Sequence, residues 1–408
     1  MELINRFFSN IKGDRGIWVV VILLYLASII MVYSTSTALA YAGRVRSTES
    51  ILFSQILFVA LGITALYIVH KINYNHYARF AILLFAISIP LLFYTMIWGV
   101  EINGARRWIR VPFVGIMFQT SDLGKLGLVM YLSYMLSLKK KKVTANFKSM
   151  FCYIGLPVQT IVGLIAPWNM STALMVFCLS MLLFIIAKLP FIQISRFMLL
   201  SLSMFALFIA CLKFTGTSRF RLATWEKRME QFIGSVLSDK ASTDRDLDTF
   251  QADQAKAAIA SGGLFGVGPG NSRAKHFLFS AHADLIYPII IEEHGLLKGG
   301  FLILILYLLL FYRCIKIFKV STGRFGSFLA LGLGLMLLLQ ALLNMAVSVN
   351  LLPVTGVALP LISKGGTSLL FTSVAIGIIL SVSVYIDSNA KKENDTRATA
   401  SSRSIKMA

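Results

Sequence analysis

The sequence predicts an all-α polytopic membrane protein with ten transmembrane helices and a large extracytoplasmic loop between helices 7 and 8. Three observations lead to this class. Of the 408 residues, 57% are hydrophobic and only 14% are charged, whereas a soluble domain carries about 25% charged residues. Ten apolar runs have the length of about 20 residues that a helix needs to cross a bilayer. Lys and Arg concentrate in alternate loops, as the orientation of a membrane protein requires.

The ten apolar runs define the order of the predicted elements. They lie roughly at residues 17–37, 51–70, 80–100, 119–138, 150–166, 171–188, 197–214, 285–312, 326–350 and 367–386. The first run is too long for a signal-peptide core and no small-residue cleavage pattern follows it, so we expect a retained helix. The predicted domains are a cytoplasmic N-terminus at 1–16, a ten-helix domain at 17–387 with the large loop at 215–283, and a disordered cytoplasmic tail at 388–408.

The distribution of charge sets the orientation. With the N-terminus inside, the cytoplasmic segments hold more than half of the 39 Lys and Arg residues, so both termini are expected in the cytoplasm. We attribute the net charge of +21 to this topology and to anionic lipid headgroups, and we expect no nucleic-acid partner. The four cysteines show no CxxC spacing, which argues against a disulfide or zinc site.

The outer loop before the fourth helix breaks the charge rule. It reads EINGARRWIRVPFVGIMFQTSDLGK and places Arg106, Arg107 and Arg110 where short outer loops usually avoid positive charge. Asp122 and Lys125 follow one turn apart, at the start of the helix. Charges at this depth usually face a partner or a watery cavity. An i, i+3 pair can also satisfy itself, so a structural ion pair is the alternative.

The segment 215–283 is long enough that we expect it to be functional. Leu222, Trp225, Met229 and Phe232 recur in it at helical spacing, together with Phe220. This pattern predicts short amphipathic helices at the outer surface.

Three carboxylates and an irregular loop complete the outer face. The three carboxylates lie at the start of the eighth apolar run, at Asp284, Glu292 and Glu293. The loop that joins the last two helices reads NLLPVTGVALPLISKGGTSLL. Irregular backbone near membrane depth survives only where protein or water satisfies its polar groups, so we expect this loop to line the same outward cavity. Cations, carboxylates and glycine amides around a groove suit an amphiphile with a phosphate head and a lipid tail.

These segments resemble a known family. GARRWI followed by FQTSDLGK is similar to the signature of the SEDS proteins (shape, elongation, division and sporulation). FQADQAKAAIASGGLFGVGPGNS, HADLIYPIIIEEHGLLKG and LLPVTGVALPLISKGGTSLL resemble its other blocks in the same order, over about residues 17–387. GPGNSRAKHFLFSAHAD is similar to the division branch, whereas PVTG at 353–356 also occurs in the elongation branch. Asn169 stands where the family often has Asp, and Asp122 stands where Glu is common.

The resemblance implies a peptidoglycan glycosyltransferase that polymerises lipid II at the outer face of the cytoplasmic (inner) membrane, at the division septum. Asp284 matches the essential Asp of the family and is the implied general base. It would accept the proton of an acceptor hydroxyl, and undecaprenyl pyrophosphate would leave. The residues expected to bind substrate are Arg106, Arg107, Trp108, Gln119, Ser121, Asp122, Lys125, Gln251, Gln254, Lys275, His282, Glu292, Glu293, Ser363 and Lys364.

Several alternatives stay open from the residues alone. Asp284 would serve equally as a helix N-cap, and a lipid II flippase or a non-catalytic scaffold would use a similar bundle. Asp284, Glu292 and Glu293 are candidates to hold a divalent cation such as Mg or Mn, unless the two glutamates only pair with the loop. The family also implies a class B penicillin-binding transpeptidase and further divisome proteins as partners, with undecaprenyl-pyrophosphate-linked glycan as the growing chain.

Overall fold

The computed structural model describes residues 12–41, 48–102, 104–110, 115, 117–138, 146–214, 222–237, 247–278 and 282–407. Its helices are α1 (Arg15–Tyr41), α2 (Thr48–Lys71), α3 (Tyr74–Trp98), α4 (Thr120–Ser137), α5 (Phe147–Ile165, with a π-helical turn at Phe151–Gly155), α6 (Met170–Ile186), α7 (Phe191–Phe214), α8 (Leu222–Leu237), α9 (Leu247–Gly262), α10 (Ile286–Gly295), α11 (Leu302–Val320), α12 (Arg324–Ser348) and α13 (Thr367–Met407). Three strands precede α4, namely β1 (Val100–Ile102), β2 (Ala105–Arg110) and β3 (Met117–Gln119).

All ten predicted apolar runs lie on helices. Within the described part of the chain, eight helical segments are long and apolar enough to cross a membrane. The other two predicted runs fall on α4, which carries Asp122 and Lys125, and on α6, which has 17 residues. The chain is therefore a mostly helical, multi-pass membrane protein, and the count of ten spans stays a prediction.

Burial separates the central helices from the peripheral ones. α4 and α12 are apolar and buried around most of their circumference, as helices in the middle of a bundle must be. α4 packs against α3 and α12, while α13 packs against α2. α7 leaves large apolar side chains exposed, including Leu199 and Leu207. Such an apolar exterior is stable where lipid replaces water as the solvent.

A small antiparallel sheet replaces the loop that the sequence predicts between α3 and α4. The strand order is β1-β2-β3, with Trp108 opposite both Val100 and Gln119. Gly104, at a φ of +71°, makes the tight turn between β1 and β2. Strands this short gain stability only from pairing, which is why the sequence pattern does not reveal them.

The eighth apolar run is not a continuous helix. Gly295, at a φ of +82°, ends α10, and a π-helical turn at Leu296–Phe301 leads into α11. The glycine-rich segment after α9 fills this break, because the amides of Val267 and Gly268 donate to the carbonyls of Glu292 and Glu293. The irregular backbone is thus satisfied by a second irregular segment of the protein.

The long segment between α7 and α10 contains the two helices α8 and α9, in agreement with the prediction of short helices there. Phe220, one member of the predicted pattern, lies outside the described residues. At the C-terminus, α13 continues to Met407, across the tail for which the sequence predicts disorder. Ala, Lys and Arg recur in this tail, and these residues favour a helix.

Candidate active site

Asp284 lies at the end of the bundle that carries the three strands, α8 and α9, which we call the sheet end. The Nδ2 of buried Asn344 donates to the Asp284 carbonyl and to the Val357 carbonyl, both at 2.7 Å. These bonds fasten the chain before α10 to the loop between α12 and α13. The cap position of α10 is Leu285, and no side chain caps the helix. The structure therefore does not support the N-cap alternative for Asp284.

Two arginines act on the Asp284 carboxylate. Burial raises the pKa of Asp284 to about 6, while the positive charges of Arg107 and Arg228 oppose that rise. A Cβ added at Gly356 would lie 3.0 Å from Arg107 Nη1 and 3.3 Å from Asp284 Oδ2. The missing side chain at 356 thus lets the guanidinium and the carboxylate approach the same point. A carboxylate with a pKa near 6 is suited to accept a proton at neutral pH.

Backbone carbonyls hold both arginines in place. Arg107, on β2, donates from Nε to the Trp168 carbonyl at 3.0 Å. Arg228, on α8, donates from Nη1 to the Val354 carbonyl at 3.0 Å. The sequence analysis does not single out Arg228, because an arginine on a charged amphipathic helix looks like any other surface residue.

An open cleft lies beside Asp284 at the sheet end, and its void of about 410 Å³ includes space that is open to solvent. Its walls come from β2, from the turn before α6, from α8 and from the loop before α13. The residues that line the cleft include Arg107, Trp168, Asn169, Trp225, Arg228 and Gly356. A neighbouring cleft of about 280 Å³ shares Arg107, Trp168 and Asn169 and adds Arg106 and Ser121.

Arg106 forms the rim of this second cleft. It pairs with Glu101 at 3.3 Å, donates to the Ile97 carbonyl at 3.0 Å, and its guanidinium lies 5.8 Å from the centre of the Trp168 ring. Arg106 is therefore held beside the cleft wall. Trp108 and Gln119 form a pair across β2 and β3, and Gln119 donates to Ser121 at 2.9 Å.

The Asp122–Lys125 pair is closed inside the bundle, and only the second oxygen of Asp122, Oδ2, has no hydrogen-bond partner among the described residues. Lys125 Nζ lies 2.8 Å from Asp122 Oδ1 and donates to Gln340 Oε1 at 3.1 Å. Gln340 in turn donates to the Ala358 carbonyl at 3.0 Å. All three side chains are buried. This network ties α4 to α12 and to the loop that carries Gly356, which supports the structural interpretation of the ion pair.

Glu292 and Glu293 are buried and bind groups of the loop before α10. Glu292 accepts hydrogen bonds from the Ser272 hydroxyl and from the amide of Arg273 at 3.0 Å. Glu293 accepts from the Ser34 hydroxyl and lies 4.0 Å from Lys275 Nζ. Both glutamates therefore anchor the loop that precedes Asp284.

The site does not fit the divalent cation suggested by these carboxylates. Glu292 already binds loop donors. Within the described residues, no three His, Cys, Asp or Glu side chains converge on one point. No step of the chemistry below is therefore assigned to a metal.

His282, Ser363 and Lys364 join Asp284 at the sheet end. The Lys364 amide donates to the His282 carbonyl at 2.9 Å, and Ser363 Oγ donates to the Ala283 carbonyl at 2.6 Å. Burial, together with the charge of Lys364, lowers the pKa of His282 to about 4, and burial lowers the pKa of Lys364. His282 is therefore neutral at physiological pH.

The remaining predicted site residues lie on and after α9. Gln251 and Gln254 lie half-buried on α9, and Lys275 donates to the Gly270 carbonyl at 2.6 Å. The structure thus brings Arg107, His282, Ser363 and Lys364 to Asp284. It adds Arg228 and Asn169, which the sequence analysis did not place in the site.

Comparison with known proteins gives consistent results. The family model for cell cycle proteins of the FtsW, RodA and SpoVE type matches residues 14–388. The probable peptidoglycan glycosyltransferase FtsW of Trichlorobacter lovleyi is 30% identical over 386 residues, covering 94% of this chain and 96% of its own length. Stage V sporulation protein E of Bacillus subtilis is 30% identical over 377 residues, covering 91% and 97%.

Two solved structures share the fold. A chain from a structure entitled "Structural coordination of polymerization and crosslinking by a peptidoglycan synthase complex" superposes with a TM-score of 0.70 at 23% identity, covering 92% of this chain and 98% of that one. The rod shape determining protein RodA of Thermus thermophilus superposes with a TM-score of 0.64 at 23% identity, covering 92% and 97%.

Proposed function

This chain belongs to the family of FtsW, RodA and SpoVE cell cycle proteins, the SEDS family, and on that premise we propose that it polymerises lipid II into glycan strands at the outer face of the cytoplasmic membrane. It is a peptidoglycan glycosyltransferase, an activity that the names of its relatives carry. We assign it to septal wall synthesis because several relatives of similar length are named FtsW. A RodA-type role in elongation is the nearest alternative.

The observation that carries the proposal is the Asp284 carboxylate, with its pKa of about 6, beside two arginines and an open cleft. At pH 7 a group with this pKa is about nine-tenths ionised and can act as a base. Asp284 accepts the proton of the acceptor hydroxyl while that oxygen attacks the anomeric carbon of the lipid-linked donor. The bond from that carbon to the pyrophosphate breaks, and undecaprenyl pyrophosphate leaves.

One carboxylate is sufficient for this reaction. A glycoside hydrolase needs a second carboxyl group to protonate a poor leaving group, whereas a sugar pyrophosphate leaves as a stabilised anion. A positioned base contributes about 10² to 10⁴-fold to the rate. Cationic groups that stabilise the departing charge contribute further, and Arg107, which approaches Asp284 at Gly356, is such a group.

The proposed function also defines the orientation of the protein in the membrane and its partner. Both termini lie in the cytoplasm, and the sheet end faces outward, so that the lipid-linked donor reaches Asp284 from the outer leaflet. A class B penicillin-binding transpeptidase is the expected partner. This is supported by the fold shared with a chain from a peptidoglycan synthase complex and by exposed apolar residues on and near α8 and α9, such as Ile233 and Phe265.

A flippase that carries lipid II across the bilayer is the second candidate, because it would use the same bundle and the same cations. The Asp284 carboxylate distinguishes the two functions. Proton acceptance requires its charge, whereas transport would tolerate an uncharged amide of the same shape.

The test uses purified protein in nanodiscs, with and without its transpeptidase, and labelled lipid II. We expect Asp284→Asn to fold and to bind lipid II but to make essentially no glycan. Asp284→Glu should also be strongly impaired, because a displacement of about 1 Å can cost about 10²-fold. Asp253→Asn is the matched control, since Asp253 is an exposed acid on α9 paired with Lys256. A folded Asp284→Asn protein that polymerises at the normal rate would refute the assignment and leave transport as the better explanation.

A further inference from the structure

We propose that Tyr307 and Ser28 are positioning residues for Asp284, because their buried hydroxyl groups hold a strained turn to which the chain before Asp284 is fastened. The turn comprises residues 359–362, in the loop between α12 and α13. Tyr307 and Ser28 do not line the cleft beside Asp284, so each would act on the reaction through the turn. The proposal rests on the function above, since it concerns the placement of the general base.

Leu361 adopts a backbone conformation that leucine rarely takes. Its φ is +64°, in the left-handed region that glycine or asparagine usually supplies. Leu361 follows Pro360, and the Ile362 amide closes the turn by donating to the Leu359 carbonyl at 3.3 Å. A proline followed by a positive φ is the pattern of a type II turn, which favours glycine at this position. Strain of this kind persists only where the surrounding structure holds it, and it concentrates at functional sites.

Two hydroxyl groups from separate helices hold this turn. Tyr307 on α11 donates to the Pro360 carbonyl. This carbonyl belongs to the peptide unit whose orientation distinguishes a type II from a type I turn, so the bond favours the positive φ at the next residue. Ser28 on α1 donates to the Ile362 carbonyl at 2.9 Å, and Gln55 on α2 orients Ser28 by donating to its Oγ at 2.8 Å. All three side chains are buried, where an unpaired carbonyl is costly.

Ser363, the residue after the turn, connects it to the chain before Asp284. Its Oγ accepts a hydrogen bond from the Leu359 amide at 2.9 Å and donates to the Ala283 carbonyl at 2.6 Å. The start of the turn and the residue before Asp284 thus meet at one buried hydroxyl. If the turn changes its conformation, this hydroxyl moves and the Asp284 carboxylate moves with it. A displacement of about 1 Å can cost about 10²-fold in rate.

Polymerisation of labelled lipid II in nanodiscs, with thermal unfolding of each variant, tests the proposal. Tyr307→Phe and Ser28→Ala each remove one hydroxyl with little change of shape, and we expect each to lower kcat about tenfold or more. Tyr77→Phe is the control for the first variant, because the buried Tyr77 hydroxyl also donates to a backbone carbonyl, between α3 and α2. Ser180→Ala is the control for the second, because the buried Ser180 hydroxyl donates to a carbonyl of its own helix, α6. Both controls should keep the wild-type kcat.

A change at the strained residue separates positioning from a general loss of stability. Leu361→Gly accepts a positive φ without strain, so the turn depends less on the Tyr307 hydroxyl. We expect the double variant of Leu361→Gly and Tyr307→Phe to polymerise faster than Tyr307→Phe alone, although losing the buried Leu361 side chain lowers its unfolding temperature. A purely structural role would make the two losses add. If Leu361→Gly does not fold, Leu361→Asn replaces it, since asparagine also adopts this conformation.

Three results would overturn the positioning role. They are a wild-type kcat in either hydroxyl variant, an equal loss of kcat in its control, and a double variant slower than Tyr307→Phe alone. Each differs from a failure of the general base, which would appear as glycan formation by Asp284→Asn. Failure of the positioning role alone would leave Asp284→Asn inactive while Tyr307→Phe and Ser28→Ala keep the wild-type rate.

Discussion

Replacing Arg107 with alanine should move the acidic limb of the pH–rate profile. Burial raises the pKa of Asp284 to about 6 against the lowering effect of Arg107 and Arg228. Arg107 Nη1 lies 3.0 Å and Asp284 Oδ2 lies 3.3 Å from the point that a Cβ at Gly356 would occupy, so the two atoms are separated by at most about 6.3 Å. At an effective dielectric constant of about 20, opposite charges at that distance attract by about 2.5 kcal/mol, or nearly two pKa units. Partial exposure of both groups reduces this to about one unit.

The direction of the change follows from the sign of the charge. The wild-type enzyme should lose activity as the pH falls through about 6, because Asp284 becomes protonated. Arg107→Ala removes a cation that favours the ionised form, so the limb should move to a pH about one unit higher. Arg107→Lys retains the charge and should shift the limb much less, although loss of the bidentate geometry still lowers the rate.

The measurement is kcat/KM for polymerisation of labelled lipid II in nanodiscs, from about pH 5 to pH 9. Thermal unfolding of each variant controls for misfolding. A slower Arg107→Ala enzyme whose limb stays at the wild-type pH would show that Arg107 does not act on the carboxylate. A wild-type profile without a limb near pH 6 would remove Asp284 as the titrating base.

Gly356→Ala should reduce the rate of polymerisation at least about tenfold, because its methyl group separates the Arg107 guanidinium from the Asp284 carboxylate. Gly163→Ala is the control, since nothing lies within 4 Å of a Cβ added there, and its rate should stay near that of the wild type. Glu292→Gln should lower the free energy of unfolding by about 2 to 4 kcal/mol, since it weakens charge-assisted bonds to the preceding loop, and an unfolding midpoint unchanged from the wild type would contradict this anchoring role. Lys125→Met should lower the free energy of unfolding by about 3 to 5 kcal/mol, because it leaves Asp122 buried without its cation. The double variant with Asp122→Asn should regain much of that stability. Equal stability of the single and double variants would exclude the coupling.

Charged residues at the ends of apolar runs have both catalytic and structural roles in this protein. Asp284 and Arg107 were recognisable in the sequence, because charged residues beside predicted transmembrane helices are uncommon in a chain that is 57% hydrophobic. Glu292 stood out for the same reason, yet it anchors a loop that lies about 20 residues earlier in the chain. Charge at an apolar boundary therefore indicates importance, but it does not separate a catalytic role from a structural one.

The residues that the sequence analysis missed have no local signal. Arg228 reaches the carbonyl of Val354, which lies 126 positions away. Asn169 is locally an ordinary helix cap, and its place in the wall of the cleft depends on elements far along the chain.

By itself the sequence determined the apolar helices, the multi-pass class and the family, and it pointed to Asp284 as the candidate carboxylate. These properties depend on the length of hydrophobic runs and on short ordered motifs, and both are local along the chain. Only the tertiary structure decided the sheet before α4, the break in the eighth run at Gly295 and the grouping of Arg228 and Asn169 around the cleft. Each of these requires a partner from a distant segment to pair a backbone group or to bring a charge near, and such a partner exists only after the bundle has packed.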